Sequence, residues 1–408
     1  MGKRPNLNFN PLASPHLEDP YPLYQRLRRE APVVHNPTFD LWFVTRHADV
    51  VEVLRDPARF SSADVLKPVL EPTPEIRAAL GEWQSGVYPL LSSDPPWHTR
   101  ARSLVSRAFS APRVAALEPQ IRAIADELID GFAAEGEGDL LPRFAYPLPM
   151  RLTGEMFGVS RADMGAVKRW CDEETLYLMA PLPHEQRLAY ARSVVAYREF
   201  LRDLVEGHRR RPRGDLVDEL LGARLEGGDP LTTGEIVGSL CVLIFAAHET
   251  TTNMLGNTLL CLLRAPGRWR ALRDDPAQIP AALEEGLRFD APVQGMTRTV
   301  TRATELGGVA LPVRARLFVV FASANRDEAS AADPDVFDPG RAAPHLSFGR
   351  GPHFCVGASL ARLEGRVALE RLALRLPGLR LADERTPAYP PNLVHRGPSA
   401  LRLAWDVA

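Results

Sequence analysis

The chain has 408 residues, 45% hydrophobic and 25% charged, with a formal net charge of −2. This is the profile of a soluble globular protein with a sizeable core, and it gives no support for wholesale nucleic-acid binding. No uninterrupted apolar run approaches the ~20 residues of a spanning helix, so neither nucleic acid nor membrane is expected as a partner.

The four cysteines, Cys171, Cys241, Cys261 and Cys355, lie far apart with no CxxC pair. That spacing argues against a disulfide framework or a cysteine-rich zinc or iron–sulfur site and fits a reducing compartment. The first ten residues carry no apolar core of the signal-peptide kind, so a cytoplasmic protein is expected.

Residues 1–19 read as a proline-punctuated arm, followed by a helix at Pro22–Arg28 and two strands at Val33–His35 and Leu41–Val44. A helix at Ala48–Leu54 leads into a long irregular stretch, Phe60–Ser93, broken by Pro68, Pro72, Pro74, Pro89, Gly81 and Gly86. Loops of that length are often binding loops. Asp94 suits an N-cap and Pro95 a first helical position for the next helix. That helix carries His98 and Arg102 four apart, on one face, where a solvated basic surface is the plain alternative. Helical patterns continue over Val114–Ala134, Pro147–Phe157, Arg161–Leu178, Glu185–Arg209 and Leu216–Leu225, with a break at Ala180-Pro181-Leu182-Pro183.

Thr232 and Glu235 form a capping box for a helix predicted to reach Leu263, before Pro266. It is apolar nearly all round from Ile236 to Ala247, the mark of a buried helix. Within it sits the polar run His248-Glu249-Thr250-Thr251-Thr252-Asn253. Buried polar groups require partners, although threonine hydroxyls also bond back to their own helix. Ala281–Phe289 is helical and holds Glu285 and Arg288 at i,i+3, a spacing that usually gives only a weak surface pair. Strands are predicted at Thr297–Thr301, Gly308–Leu311 and Arg316–Ala322. A coil over Asn325–Pro344 follows, then a helix from Ala358 to Leu376 and a strand at Ala400–Trp405. The sequence shows no repeat and no evident domain boundary: a mainly α chain with small β-sheets (α+β) is expected, a single domain over 1–408.

Between the coil and the last helix stands Phe348-Gly-Arg-Gly-Pro-His-Phe-Cys355-Val-Gly357. Glycines at that density let the backbone pass close to a flat, bulky group, and a cysteine just before a helix start is favoured as thiolate. A buried free cysteine in a glycine-rich turn is the bland alternative.

The loop fits F-G-x-G-x-H-x-C-x-G at every fixed position. Ala246-Ala247-His248-Glu249-Thr250-Thr251 precedes it, Glu285-Gly-Leu-Arg288 falls between, and Asp94-Pro-Pro-Trp-His98-Thr-Arg lies upstream. In that order, from Pro20 to Trp405, the set resembles the cytochrome P-450 family in its soluble bacterial branch.

The resemblance implies a triangular-prism fold with haem b between the long buried helix and the Cys-loop helix, and Cys355 as the axial thiolate on iron. It implies His98, Arg102, Arg298 and His353 as partners of the haem propionates, and Ala246, Phe348, Gly349 and Gly357 as further cofactor contacts. Glu249 and Thr250 match the acid–alcohol pair that brings protons to dioxygen, beside a local break in the helix ladder. Ala247 stands where many relatives carry glycine. Glu285 and Arg288, with Arg341, match a structural brace. Leu243, Ala247, Val293, Met296, Leu393 and Val394 fall in substrate-facing regions, which are mainly apolar.

A monomeric monooxygenase of a lipophilic small molecule is therefore expected, supplied with electrons by a ferredoxin or flavodoxin and an NAD(P)H-dependent reductase. Arg100, Arg107, Arg113, Arg362 and Arg366 are candidates for the docking face, or else a solvated surface. A peroxide-driven peroxygenase and a non-catalytic haem sensor are the alternatives. Glu249-Thr250 argues against both.

Overall fold

The structure, a computed structural model, describes residues 9–407 apart from 69, 86, 87, 181, 225–228, 266, 342 and 384. The predicted breaks at Gly86, Pro181 and Pro266, the helix end at Leu225 and the first eight residues of the arm lie outside the described residues. The chain is mostly helical with small sheets, and it divides into two compact units. One comprises Met1–Ser61, Val114–Pro149 and Glu249–Ala408; the other comprises Ser62–Arg113 and Met150–His248.

The described strands fall in the first unit. The hairpin Val33–Asn36 and Leu41–Val44 pairs antiparallel with Val33 opposite Val44. Leu41–Val44 runs parallel to Arg316–Val319 with Trp42 opposite Leu317. Arg316–Val319 pairs antiparallel with Met296–Val300, Met296 facing Val319, and Phe60–Ser61 closes the edge. Alternation along these strands buries Phe43, Leu317, Phe318 and Val319, with Phe9 and Phe318 edge-on to Phe43 at centroid distances of 5.0 and 5.4 Å. Each such ring contributes about 2–3 kcal/mol of burial. The predicted strand to Ala322 stops at Val319. Ala322 N donates to Gln294 O and Ala324 N to Val320 O, and a one-turn helix, Phe321–Ala324, replaces it.

The second unit, among its described residues, is helical. Its long segment after Ser61 is fastened from the helix His184–Arg210: Arg187 Nη2 donates to Leu70 O and Glu71 O at 2.5 and 3.1 Å, and Trp83 Nε1 donates to Glu199 Oε1 at 2.8 Å. Tyr88 Oη donates to Glu174 Oε1 at 2.6 Å, and Arg198 Nη2 reaches the same oxygen at 3.0 Å. All three of these side chains are buried.

Two helix starts differ from the sequence reading. The helix predicted from Asp94 begins at Trp97, and the Asp94 carboxylate accepts from Ser62 N at 2.8 Å. The predicted helix Val114–Ala134 is two, Ala111–Ala116 and Glu118–Asp130. Pro119 lacks an N–H and is accepted only in a first turn, so the chain restarts there. The capping box of the long helix is present, with Thr232 N donating to Glu235 Oε2 at 2.8 Å and Glu235 N to Thr232 Oγ1 at 3.2 Å. That helix runs from Thr233 to Arg264 as one element. His248 Nδ1 lies 2.8 Å from Ile244 O and Ser239 Oγ donates to Glu235 O at 2.7 Å: these two side chains are satisfied on the helix itself, whereas Thr252 and Asn257 donate to backbone carbonyls outside it.

Candidate functional site

The cysteine loop is shaped by its backbone. Gly349 and Gly351 adopt φ of +69° and +74°, a region that favours glycine. A Cβ on Gly351 would stand 2.2 Å from Leu54 O. Gly351–His353 forms a single 3₁₀ turn, Gly349 N donates to Leu346 O, and Cys355 N donates to Phe348 O, both at 2.8 Å. The entry to the loop is fixed by Leu346 N donating to Asn325 Oδ1 at 2.6 Å and Ser347 Oγ donating to Leu287 O at 2.6 Å. The helix Ala358–Arg375 starts three residues after Cys355. These bonds hold Cys355 half-buried beside a helix N-terminus, where a thiolate is favoured. Burial instead pushes the Cys241 thiol well above its ordinary value and the Cys261 thiol to about 12.

Arg362 belongs to this loop, although the sequence suggested only a surface role. Its guanidinium lies 4.5 Å from the Phe348 ring centroid and grips Glu284 with two bonds of 2.6 and 2.8 Å. Burial would raise the Glu284 carboxyl, but hydrogen bonds from Arg362 and His345 hold it down at about 2. The same bonds raise Arg362, with a further contribution from the charge of Cys355. The other candidates for a docking face are engaged as well. Arg100 pairs with Glu235 at 2.6 Å, Arg366 with Glu118 and Glu370 at 2.6 and 2.8 Å, Arg113 with Glu219, and Arg107 donates to Arg224 O at 3.0 Å.

The first unit also holds Arg298, His353, Glu249, Thr250, Glu285, Arg288, Arg341, Val293, Met296, Leu393 and Val394. Arg298 is buried on the strand Met296–Val300, its Nη1 donating to Thr297 O at 2.7 Å. Gln294 N donates to Val394 O at 2.7 Å, and Val293 forms a bridge with His395, so the two apolar segments Val293–Thr297 and Asn392–Val394 lie together. Glu249 Oε1 is 3.3 Å from His395 Nδ1. Nothing in the sequence singled out His395, which stands one residue beyond that apolar segment. Glu285 and Arg288 form a bidentate pair with each side chain 1% exposed, and Arg341 Nε lies 3.6 Å from Glu285.

The second unit holds His98, Arg102, Leu243, Ala246 and Ala247. His98 is 1% exposed, and Arg102 Nε donates to Ser106 Oγ at 3.0 Å on the same helix face. Along the long helix Leu243, Ile244 and His248 are buried while Ala246 is exposed and Ala247 half-buried.

The sequence model described as Cytochrome P450 matches residues 163–376. The chain is 39% identical to Cytochrome P450 107B1 of Saccharopolyspora erythraea, over 90% of this chain and 89% of that one. It is 37% identical to the 6-deoxyerythronolide B hydroxylase of the same organism, over 95% and 96% of the two chains. Among solved structures, cytochrome P450 CREJ in complex with (4-ethylphenyl) dihydrogen phosphate superposes with a TM-score of 0.89. The two are 32% identical, with 96% of this chain and 98% of that one covered.

Proposed function

The chain belongs to the cytochrome P450 family, and on that premise we propose that it hydroxylates or epoxidises a lipophilic small molecule, with electrons from a ferredoxin or flavodoxin and its NAD(P)H-dependent reductase. It is a monooxygenase, and haem b, bound through a cysteine thiolate, supplies the activation of dioxygen. The residues present fit that group. Cys355 offers a half-buried sulfur at a helix start. A Cβ on Gly357 would meet no protein atom within 4 Å, and Ala246 is exposed on a largely buried helix.

Cys355 is assigned as the iron ligand, and the fixed loop around it carries the assignment. His98, Arg102, Arg298 and His353 are assigned to the propionates, whose charges need such partners away from water. Phe348, Gly349 and Gly357 are assigned to the cofactor on the cysteine side and Ala246 to it on the long helix. Glu249 and Thr250 are assigned to proton delivery: the carboxyl holds and releases the proton, and the hydroxyl presents it to the reacting oxygen. Leu243, Ala247, Val293, Met296, Leu393 and Val394 are assigned to the substrate. Their apolar character favours a lipophilic substrate of moderate size, and a relative named 6-deoxyerythronolide B hydroxylase supports hydroxylation as the reaction.

The carbon monoxide complex of the reduced protein tests the core of this reading. A red-shifted Soret band is expected, and Cys355→Ser abolishes it in haem-loaded protein. Retention of the shifted band in Cys355→Ser overturns the ligand assignment. Screening lipophilic compounds for conversion of the haem from low to high spin then identifies the substrate class.

A further inference from the structure

Resting on the assignment of Glu249 to proton delivery, we propose that His395 is the positioning residue that reloads Glu249, passing it protons from a water-sized recess beside the N-terminal segment.

The contact is built in, because the segment carrying His395 is registered along one face of the long helix. Glu249, Asn253 and Asn257 are four residues apart and share that face. Asn257 Nδ2 donates to Arg396 O at 3.0 Å, and Gly397 sits so close to Asn253 that a Cβ there would be 2.1 Å from Asn253 Oδ1. On the other side, Arg396 N donates to Pro292 O at 2.9 Å, and Asn392 Oδ1 accepts from the backbone N–H groups of Val394 and His395, each at 2.9 Å. That register sets His395 Nδ1 3.3 Å from Glu249 Oε1, with the histidine side chain 11% exposed.

The same ring forms part of the wall of a small recess with room for about one water molecule, together with His16, Tyr24, Gln294, Asn392 and Arg396. Its strongest charge is already committed: Arg396 binds Asp290 at 2.9 Å and the carbonyls of Leu17 and Glu18, both at 2.8 Å. Tyr24 Oη donates to Gln294 Oε1 at 3.3 Å. The lining is mixed, with Leu12, Leu17 and Leu393 beside these groups, and the polar ones give a water held there its hydrogen-bond partners.

An imidazole between water and a carboxylate is a proton relay. A solvent proton carried by water in the recess binds Nε2, the ring turns Nδ1 from its 3.3 Å ion-pair distance into line with the Glu249 carboxylate and gives up the Nδ1 proton to it, and exchange of the tautomer with solvent restores the ring. Only N–H and O–H bonds change, and no electron moves. Glu249 is thereby reloaded after each proton it gives up, without water having to enter the apolar site.

Four haem-loaded proteins test this: wild type, Glu249→Gln, His395→Gln and the double variant. Each is driven by a surrogate ferredoxin system without added substrate, in H₂O and in D₂O. The readouts are the fraction of consumed oxygen released as hydrogen peroxide, the solvent isotope effect and the thermal unfolding midpoint. His395→Gln is expected to raise the peroxide fraction at least about threefold and to enlarge the isotope effect. The double variant should be no worse than Glu249→Gln, and the midpoint losses of the single variants should fail to add. Wild-type peroxide and isotope values in His395→Gln, with Glu249→Gln impaired, overturn the relay and leave the Glu249 assignment standing. An unimpaired Glu249→Gln overturns that assignment and the relay with it. A lowered midpoint in His395→Gln with an unchanged isotope effect reduces His395 to a structural residue, and additive midpoints show that it does not act through Glu249. Either result overturns the proposal.

Discussion

Arg288 meets Glu285 edge to edge, Nε 2.7 Å from Oε2 and Nη2 2.8 Å from Oε1, deep in the first unit. The remaining donors of the guanidinium are spent on the coil before the cysteine loop, Nη1 reaching Asn325 O and Pro334 O at 2.9 Å. Asp338 N completes the frame by donating to Glu285 Oε1 at 2.8 Å. Removing one partner strands a buried charge, which costs about 3–5 kcal/mol. Glu285→Ala and Arg288→Leu are therefore expected to lower the urea midpoint sharply and to yield protein with little haem per chain. Arg288→Lys should fare little better, since a single ammonium cannot serve a fork of acceptors. An unchanged midpoint in any of the three contradicts the role.

What could be read in advance was local. The Thr232–Glu235 capping box, the apolar run behind it and the glycines around Cys355 each declare themselves within a few residues, because caps, periodicity and turn chemistry act over that range. Partners brought by the fold are another matter. Asp94 has the chemistry of an N-cap, and the fold also brings Ser62 N to its carboxylate. Arg362 looks like any helix arginine until Phe348 and Glu284 are set beside it. The i,i+3 spacing of Glu285 and Arg288 suggested a weak surface pair, whereas burial turns the same spacing into a frame. His395 meets Glu249 only through the register of a loop on a helix, which no periodicity encodes.

The junction of Tyr88, Glu174 and Arg198 predicts a graded response. Tyr88→Phe removes two hydrogen bonds, the one Tyr88 Oη donates to Glu174 and the one it accepts from Arg198, and leaves Glu174 and Arg198 paired at 3.0 Å, so it should cost about 1–2 kcal/mol. Arg198→Leu leaves Glu174 buried without its cation, and about 3–5 kcal/mol is expected. Hydrogen exchange should localise the loss to residues 62–93, which Arg198 also holds through Trp83 O at 2.9 Å. Equal effects of the two substitutions would refute this ordering.

Two glycines of the cysteine loop separate fold from cofactor. Gly351→Ala places a methyl group against Leu54 O at a φ of +74°, and a loss of about 1–3 kcal/mol is expected in urea unfolding of the haem-free protein. Gly357 has a φ of −86° and no protein atom within 4 Å of an added Cβ. Gly357→Ala should therefore leave haem-free stability within about 0.5 kcal/mol of wild type. Weakened haem retention in that variant, measured by transfer to apomyoglobin, then reports contact with the cofactor and not damage to the loop.

Thr250 is half-buried in the middle of the long helix. With its hydroxyl presenting the proton, Thr250→Ala keeps oxygen consumption but diverts it to hydrogen peroxide, by about tenfold or more if the general-acid contribution is lost. Thr250→Ser restores the balance. Unchanged peroxide release in Thr250→Ala removes Thr250 from proton delivery.

Glu364 supplies a pH signature. It lies on the helix that follows Cys355, 3% exposed, and burial pushes its carboxyl from an ordinary 4.5 up to about 8. A carboxyl raised on folding favours the fold below its unfolded value and loses that contribution as pH rises towards its folded one. Near neutral pH the native chain therefore holds Glu364 as the neutral acid, at a cost of about 3 kcal/mol relative to a group that ionises freely. Glu364→Gln keeps the shape and removes the titration. Urea midpoints of the two proteins should run together near pH 4 and separate from pH 5 to pH 8, the variant becoming the more stable. Parallel curves across that window would mean that Glu364 ionises in the fold as it does in the unfolded chain.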